Sequence, residues 1–350
     1  MYKLLIFIFT FLLPMHCYSQ DRAENIFIKT DSVSRTVNYN HDLNRLVFDL
    51  TKTSKNQLQK ARAIFVWITH NINYDYKLFN KKKRLKHFRC NDSGNCDRKL
   101  ADWNAKSIQK TLRKKKAICS GYSDLFKKMC EIAGIECMTI DGYIKNNPSQ
   151  IGRMGILDHA WNAIVIDNQY YYLDATWASG YCTLDEDGRP DSFVRHYNDY
   201  YWLTPIDKLS RNHFPKDTMQ LVNSKYNKQL FKKNPYIEGS ILPNIDIISP
   251  DSGVLNPKIG DTIRFAFKFT GNIDKLQINT NISRNPEVWE IVNGIKVIDE
   301  RALSKQKYIS SKKEDGLYHF DYIVNNKSLR FIVILFDYQM ALKYLVKIEN

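Results

Sequence analysis

Beyond about residue 240 the hydrophobic period changes from about 3.6 residues to 2, so a unit containing helices is followed by an all-β one. Ile263, Phe265, Phe267 and Phe269 alternate with Thr262, Arg264, Ala266, Lys268 and Thr270, the mark of a strand with one buried face. Asn293-Gly294, between apolar runs at 288–292 and 295–298, is the pair a two-residue hairpin turn demands. Further strands are predicted at 317–324, 329–336 and 342–348. About seven strands in about a hundred residues suggest a β-sandwich of immunoglobulin type. A chain of 350 residues is long enough for two such units. The stretch from Asn234-Pro235 to Pro243 reads as the linker.

Before that point, helix and strand alternate. Leu58, Ala61, Ile64, Phe65 and Ile68 recur at helical spacing over 57–70, and 72–76 reads as extended. Residues 21–55 are polar, with Val33, Leu43, Leu46, Phe48 and Leu50 hinting at one short packed element. Residues 77–104 are basic and read as an insertion loop. A second helix starts near Cys119, buries Tyr122, Leu125, Phe126, Met129 and Ala133, and stops at Gly134. Strands follow at 135–144, 160–166 and 170–174, the last two joined by a turn around Asp167 and Asn168. Helix first and antiparallel meander second is an α+β arrangement. The expected division is 1–19 signal peptide, 20–56 N-terminal segment, 57–235 mixed unit and 236–350 β-sandwich.

Lys3, an apolar run at 4–13 and the small residues Cys17 and Ser19 have the layout of a secretory signal peptide, with cleavage after Ser19 or Gln20. The run is too short to span a bilayer, which takes about 20 residues. A lipid-anchored reading through Cys17 is weakened by bulky Met15 and His16. The expectation is an exported protein, periplasmic or extracellular, without a transmembrane segment. Export permits disulfides, and Cys90 and Cys96 enclose a turn-rich pentapeptide that would let them pair. Ligand spacing for zinc is missing, and the acidic loop 185–188 lacks the remaining ligands of a calcium loop, so no metal and no cofactor is expected. The net charge of +15, with basic runs at 81–84 and 114–116, is either a solvated surface or an attraction to an anionic partner of the cell envelope. Nucleic acid is discounted, because no reading motif accompanies the charge.

Cysteine attacks only as thiolate, and the N-terminus of a helix favours that anion through its free N–H groups and dipole. Cys119 stands where the second helix begins, after three lysines. His159 and Asp174 lie on the two arms of the predicted hairpin. With Asp167-Asn168 as the loop, Ile166 faces Gln169, His159 faces Thr176, and Asp174 is diagonal to His159 on one face. A histidine base oriented by a carboxylate completes a Cys-His-Asp set. Each residue alone has a plain structural reading: a core cysteine, a satisfied histidine, a capping aspartate. Their order and placement point to chemistry.

The segment KKKAICSGYSDLF, 114–126, resembles the nucleophile motif of the transglutaminase-like superfamily; DHAWN, 158–162, and YYYLDATWA, 170–178, resemble its histidine and aspartate motifs. ARAIFVWITHNINYDY, 61–76, is similar to the family's leading helix and the extended segment after it. YYWLTPIDKLSRNHFP, 200–215, resembles the closing segment of the branch that includes the kyphoscoliosis peptidase. The resemblance implies a papain-like catalytic unit with Cys119 as nucleophile, His159 as general base and acid and Asp174 as its orienter. Tyr122, Trp161 and Trp177 belong to the matched motifs and are candidates for the cleft wall, with simple packing as the alternative. The basic insertion separates the leading helix from the nucleophile, leaving Trp103 and Gln109 as candidates for an oxyanion-hole side chain. The paired CxxC motifs of the zinc-containing peptide N-glycanase branch are missing, which argues against that activity.

The chemistry the resemblance implies is acyl transfer through a thioester, on a protein or peptide substrate. The leading expectation is a cysteine protease-like hydrolase of peptide or isopeptide bonds. Two alternatives stay open: a cross-linking protein-glutamine transglutaminase, and a non-catalytic binding or scaffold protein of the cell envelope.

Overall fold

The computed structural model describes residues 20–81, 90, 95–220, 226–292 and 295–349. The signal segment, the basic run at 82–89 and the Asn293-Gly294 turn lie outside these residues.

Residues 20–56 form two helices, α1 (Gln20–Thr36) and α2 (Leu43–Thr51), rather than one short element. Asp42 caps α2 by accepting from the Arg45 N–H, and Leu46, Val47 and Leu50 face inward while Phe48 is exposed. α3 (Gln57–Asn71) is enclosed from Ala61 to Thr69, because α1, α2 and the later helices pack around it. One buried charge fastens this wrap. Arg62 donates from Nε and Nη2 to both oxygens of Asp31 on α1, at 2.7 and 2.6 Å, and from Nη1 to Asp199 at 2.5 Å. Its guanidinium also lies over the Phe27 and Trp202 rings, 5.2 and 5.3 Å from their centroids.

After α3 come β1 (Asn73–Tyr74), α4 (Tyr76–Asn80), α5 (Cys96–Lys114), β2 (Lys116–Ala117) and α6 (Cys119–Ile132). The expected insertion loop therefore contains the first turns of α5, whose apolar Ile108 and Leu112 turn inward beneath a charged outer face. Cys90 and Cys96 form a disulfide with Cα atoms 5.6 Å apart. β1 and β2 pair in parallel and bring the end of α3 to the start of α6.

α6 ends as expected at Gly134, whose positive φ of 72° lets Ile135 N–H reach back to the Cys130 carbonyl at 2.9 Å. The strands β3 (Glu136–Ile144), β4 (Leu157–Ile166), β5 (Gln169–Leu173) and β8 (His213–Pro215) make an antiparallel sheet in the order β5-β4-β3-β8. Asp167 and Asn168 form the β4–β5 turn, both at positive φ, in the expected register of Ile166 against Gln169. Between β5 and β8 lie α7 (Ala175–Ser179), the hairpin β6 (Gly180–Leu184) and β7 (Pro190–Arg195), and α8 (Ile206–Leu209). α6 packs across β3 and β4, so its N-terminus meets the β4 end that carries His159.

A second core lies in the C-terminal region. β10 (Ile245–Ser249), β12 (Thr262–Phe269), β17 (Leu317–Ile323) and β16 (Lys312–Glu314) form one sheet in the order β10-β12-β17-β16. β11 (Val254–Leu255), β19 (Gln339–Val346), β18 (Phe331–Phe336) and β13 (Leu276–Thr280) form the other, and β11 runs parallel to β19. These orders correspond to A-B-E-D and G-F-C of an immunoglobulin sandwich. The alternating face of β12 supplies Phe265 and Phe267, whose rings stack on Phe320 and Tyr318 at 5.2 and 5.7 Å. β14 (Trp289–Val292) and β15 (Ile295–Ile298) pair only with each other among the described residues.

The expected linker is a packed joint. After α9 (Lys228–Lys233), β9 (Tyr236–Ile237) pairs with β19. Lys145, 3% exposed at the end of β3, donates its ammonium to the carbonyls of Phe231, Lys232 and Asn234 at 2.9, 3.1 and 2.9 Å. Asn234 Nδ2 donates in turn to the carbonyls of Ser210 and Arg211.

Two expectations follow. Arg62→Ala should cost about 3 kcal/mol, because it leaves Asp31 without its cation, and should loosen α1; urea unfolding with limited proteolysis checks both. We also propose that the mixed unit folds without the sandwich. Residues 20–238 expressed alone keep every acceptor of Lys145, so they should melt cooperatively, and a product without a transition would refute this.

Candidate active site

Three elements converge on one point, each for a local reason. α6 begins at Cys119 with Ile118 as N-cap, and no side chain bonds to the first turn. An isoleucine there forgoes about 0.5–2 kcal/mol of capping, and it leaves the Cys119 and Ser120 N–H groups without a capping oxygen, while Gly121 N–H donates to the Ile118 carbonyl at 2.9 Å. Cys119 is 9% exposed, and its Sγ lies 3.6 Å from the Asp158 carbonyl oxygen. His159 follows on β4, opposite Gly142 of β3. Gly142 has to be glycine: a Cβ there would come within 2.3 Å of the Trp161 ring and 2.4 Å of the Phe214 carbonyl.

Asp174 is where β5 ends. Instead of continuing the ladder it becomes the N-cap of α7, and Oδ1 accepts from the Thr176 and Trp177 N–H groups at 2.8 and 3.1 Å. Its own N–H donates to the Tyr201 carbonyl at 2.9 Å. Oδ2 is then free for imidazoles: it meets His159 Nε2 at 2.6 Å and His213 Nε2 at 3.1 Å. One oxygen thus caps α7 while the other faces two imidazoles. Because Nε2 of His159 is taken by Asp174, Nδ1 is the nitrogen left for the thiol.

The electrostatics follow from this packing. Asp174 is wholly buried, which opposes its charge, yet the charge and hydrogen bond of His159, helped by His213, hold it well below the usual carboxylate range. Burial likewise opposes the His159 imidazolium, but the Asp174 charge and hydrogen bond, then contact with Cys119, push it up to about 10. Burial pushes His213 down.

The structure sorts the other candidates. Trp161 is 2% exposed and forms the floor rather than an open wall, its ring stacked 5.9 Å from His159 and edge-on 5.0 Å from His213. Trp177 is half-buried, 5.7 Å from His159 and 4.8 Å from His213. Tyr122 belongs to the core and not to a cleft: it is fully enclosed, and its hydroxyl donates to the Ile72 carbonyl at 2.7 Å. Trp103 and Gln109 lie on the exposed face of α5, away from the face formed by Ile108 and Leu112. That exposure removes both as oxyanion-hole side chains, which need a water-excluded place.

Two neighbours escaped the sequence reading. His213 stood inside the segment 200–215, and the only available signal was a histidine after an amide and before the apolar pair Phe214-Pro215. Tyr74, paired with Ala117 across β1 and β2, is raised above the usual tyrosine range by burial first and by Cys119 next, which makes it a neighbour of the thiol. Among the described residues, His159, Asp174 and His213 also form a group with donor atoms within 4.8 Å of one another, as a metal site would. Hydrogen bonds account for it, since Asp174 Oδ2 accepts from both rings.

Residues 44–175 match the Transglutaminase-like superfamily. The kyphoscoliosis peptidases of Mus musculus and Homo sapiens are each 32% identical to this chain over 232 residues, which cover 63% of this chain and 32% of theirs. The chain thus spans about a third of the length of the curated relatives it matches. A crystal structure described as that of a TGase is 16% identical over 55% of this chain and 40% of its own, with a TM-score of 0.28.

The pair should leave a mark on stability. The lowered Asp174 contributes stability above its unfolded value of about 4, lost as pH falls toward its folded one. The raised His159 contributes stability that is complete below about 6.5 and disappears as pH rises through about 10. The melting-temperature gap between the native chain and His159→Gln should therefore be widest near pH 5–6 and shrink toward pH 10. A gap that grows with pH would mean that the imidazole is held neutral.

Proposed function

Residues 44–175 carry a domain of the transglutaminase-like superfamily, and from that premise we propose that the protein is an exported cysteine hydrolase that cleaves peptide or isopeptide bonds through a thioester. The observation that carries this reading is the buried 2.6 Å His159–Asp174 pair beside a cysteine at an uncapped helix start.

In the proposed reaction the Cys119 thiolate attacks the substrate carbonyl carbon, and the oxygen gains the charge. The open N–H groups at the start of α6 stabilise that oxyanion. The C–N bond breaks as His159 gives its Nδ1 proton to the leaving amine, which leaves a thioester on Cys119 and a neutral imidazole. Water then attacks the thioester, His159 takes its proton, and the acid departs with regeneration of the thiolate–imidazolium pair. Asp174 stays ionised throughout and holds Nε2.

The apolar run at 4–13 and the Cys90–Cys96 disulfide support export. Among the described residues, no helix is long and apolar enough to cross a membrane. The exposed lysines of α5 and of 114–116 support a contact with an anionic envelope partner.

An irreversible thiol probe should label Cys119 in the intact protein, and Cys119→Ala or His159→Ala should each abolish turnover without unfolding. Asp174→Asn should keep the cysteine but misorient the imidazole. The double change at Cys119 and His159 should be hardly worse than either single one. Turnover that survives Cys119→Ala would overturn the proposal. Incorporation of a primary amine into a glutamine peptide in preference to hydrolysis would reassign the protein as a transglutaminase.

A further inference from the structure

Asp174 Oδ2 is shared by two imidazoles, and the second has no part in the reaction above. His213 is 1% exposed on β8, with Nε2 3.1 Å from Asp174 Oδ2 and Nδ1 2.7 Å from the Asn212 side-chain amide. Its ring is closed in by Trp177 at 4.8 Å, Trp161 at 5.0 Å, His159 at 5.4 Å and Tyr201 at 6.0 Å.

We propose that Asn212 and His213 form a hydrogen-bond chain of fixed direction ending on Asp174, and that His213, neutral and protonated on Nε2, is the positioning residue for the His159–Asp174 pair. The proposal rests on the catalytic reading of Cys119.

The direction follows from counting charges and protons. One buried carboxylate can balance one imidazolium, and His159 is that cation. Burial and the charge of His159 both disfavour a second cation at His213. A neutral imidazole carries one N–H, and a carboxylate oxygen can only accept, so the proton of His213 belongs on Nε2. Nδ1 is then a bare acceptor and needs a donor. An amide turned by 180° about its terminal bond offers NH2 where its oxygen would be, at no cost in shape. Asn212 therefore donates its Nδ2–H to His213 Nδ1. Both ring nitrogens of His213 are then satisfied, which burial requires. The Nε2–H of His213 fills one lone pair of Oδ2 and leaves the other for His159, so the carboxylate cannot rotate away. Nδ1 of His159 stays aimed at Cys119.

Nitrogen-15 spectra of the full chain should show His213 at neutral pH as the Nε2–H tautomer, with Nδ1 accepting a hydrogen bond. An imidazolium or an Nδ1–H tautomer would overturn the proposal. Iodoacetamide labelling of Cys119 at pH 7 should slow roughly 10- to 100-fold in His213→Leu, the loss expected when an orienting partner is removed. His213→Gln, whose amide can donate to Asp174, should recover most of that rate. Leu and Gln variants that label equally, with equal melting temperatures, would reduce His213 to a packing residue and refute its role. Spectra of Cys119→Ala keep the tests apart: an unreactive Cys119 in the native chain sinks the catalytic reading, while the tautomer still decides the chain.

Discussion

The Asp174 carboxylate is the constraint to which the mixed unit is built. It is wholly buried and ionised, a state that costs several kcal/mol unless every lone pair finds a donor. Four donors meet it: two backbone N–H groups of α7 on one oxygen and two imidazoles on the other. Each donor fixes an element. The cap starts α7, His159 fixes the end of β4 and His213 fixes β8. Such a group cannot be removed singly without orphaning the rest.

Elsewhere the site departs from what stability alone would choose. An N-cap of Ile118 leaves α6 without a side-chain cap, in a chain that caps α2, α3 and α4 with Asp42, Asn56 and Asp75. α5 and α8 also start without a side-chain cap, but α6 alone of these begins with the candidate nucleophile. A capping oxygen there would occupy the N–H groups that a reacting carbonyl oxygen needs. The local conflict and the proposed chemistry explain each other.

What could be read from the sequence had a local pattern behind it. The α6 helix, its glycine stop, the β4–β5 register and the alternating face of β12 all follow from residues adjacent in the chain. Residues 20–56 and the start of α5 are hard to read because few apolar residues stand among many charged ones, with only Ile108, Thr111 and Leu112 of α5 buried. β10 and β13 are hard to read because each is a short run of five residues, and β13 pairs with a strand far along the chain. Trp103 and Gln109 stand out by residue type and relative position, and the helix α5 turns both to its exposed face. His213 lies 39 residues from the carboxylate it touches. No spacing rule connects the two, and only the pairing of β8 with β3 brings them together.

That pairing also joins the site to the second unit. β3 places Gly142 opposite His159 and Ile144 opposite His213, and the Lys145 N–H donates to the Asn212 carbonyl at 2.8 Å. The same lysine then sends its ammonium to the carbonyls at 231, 232 and 234, where the chain leaves for the sandwich. Asn234 returns the contact to Ser210 and Arg211, and Arg211 pairs with Asp246 of β10 at 2.8 Å. One strand therefore carries the backbone opposite both histidines and, one residue further, the cation that holds the joint. The joint's carbonyls are acceptors that only a buried donor satisfies. The two cores are separate, while Lys145 joins the strand opposite both histidines to the joint.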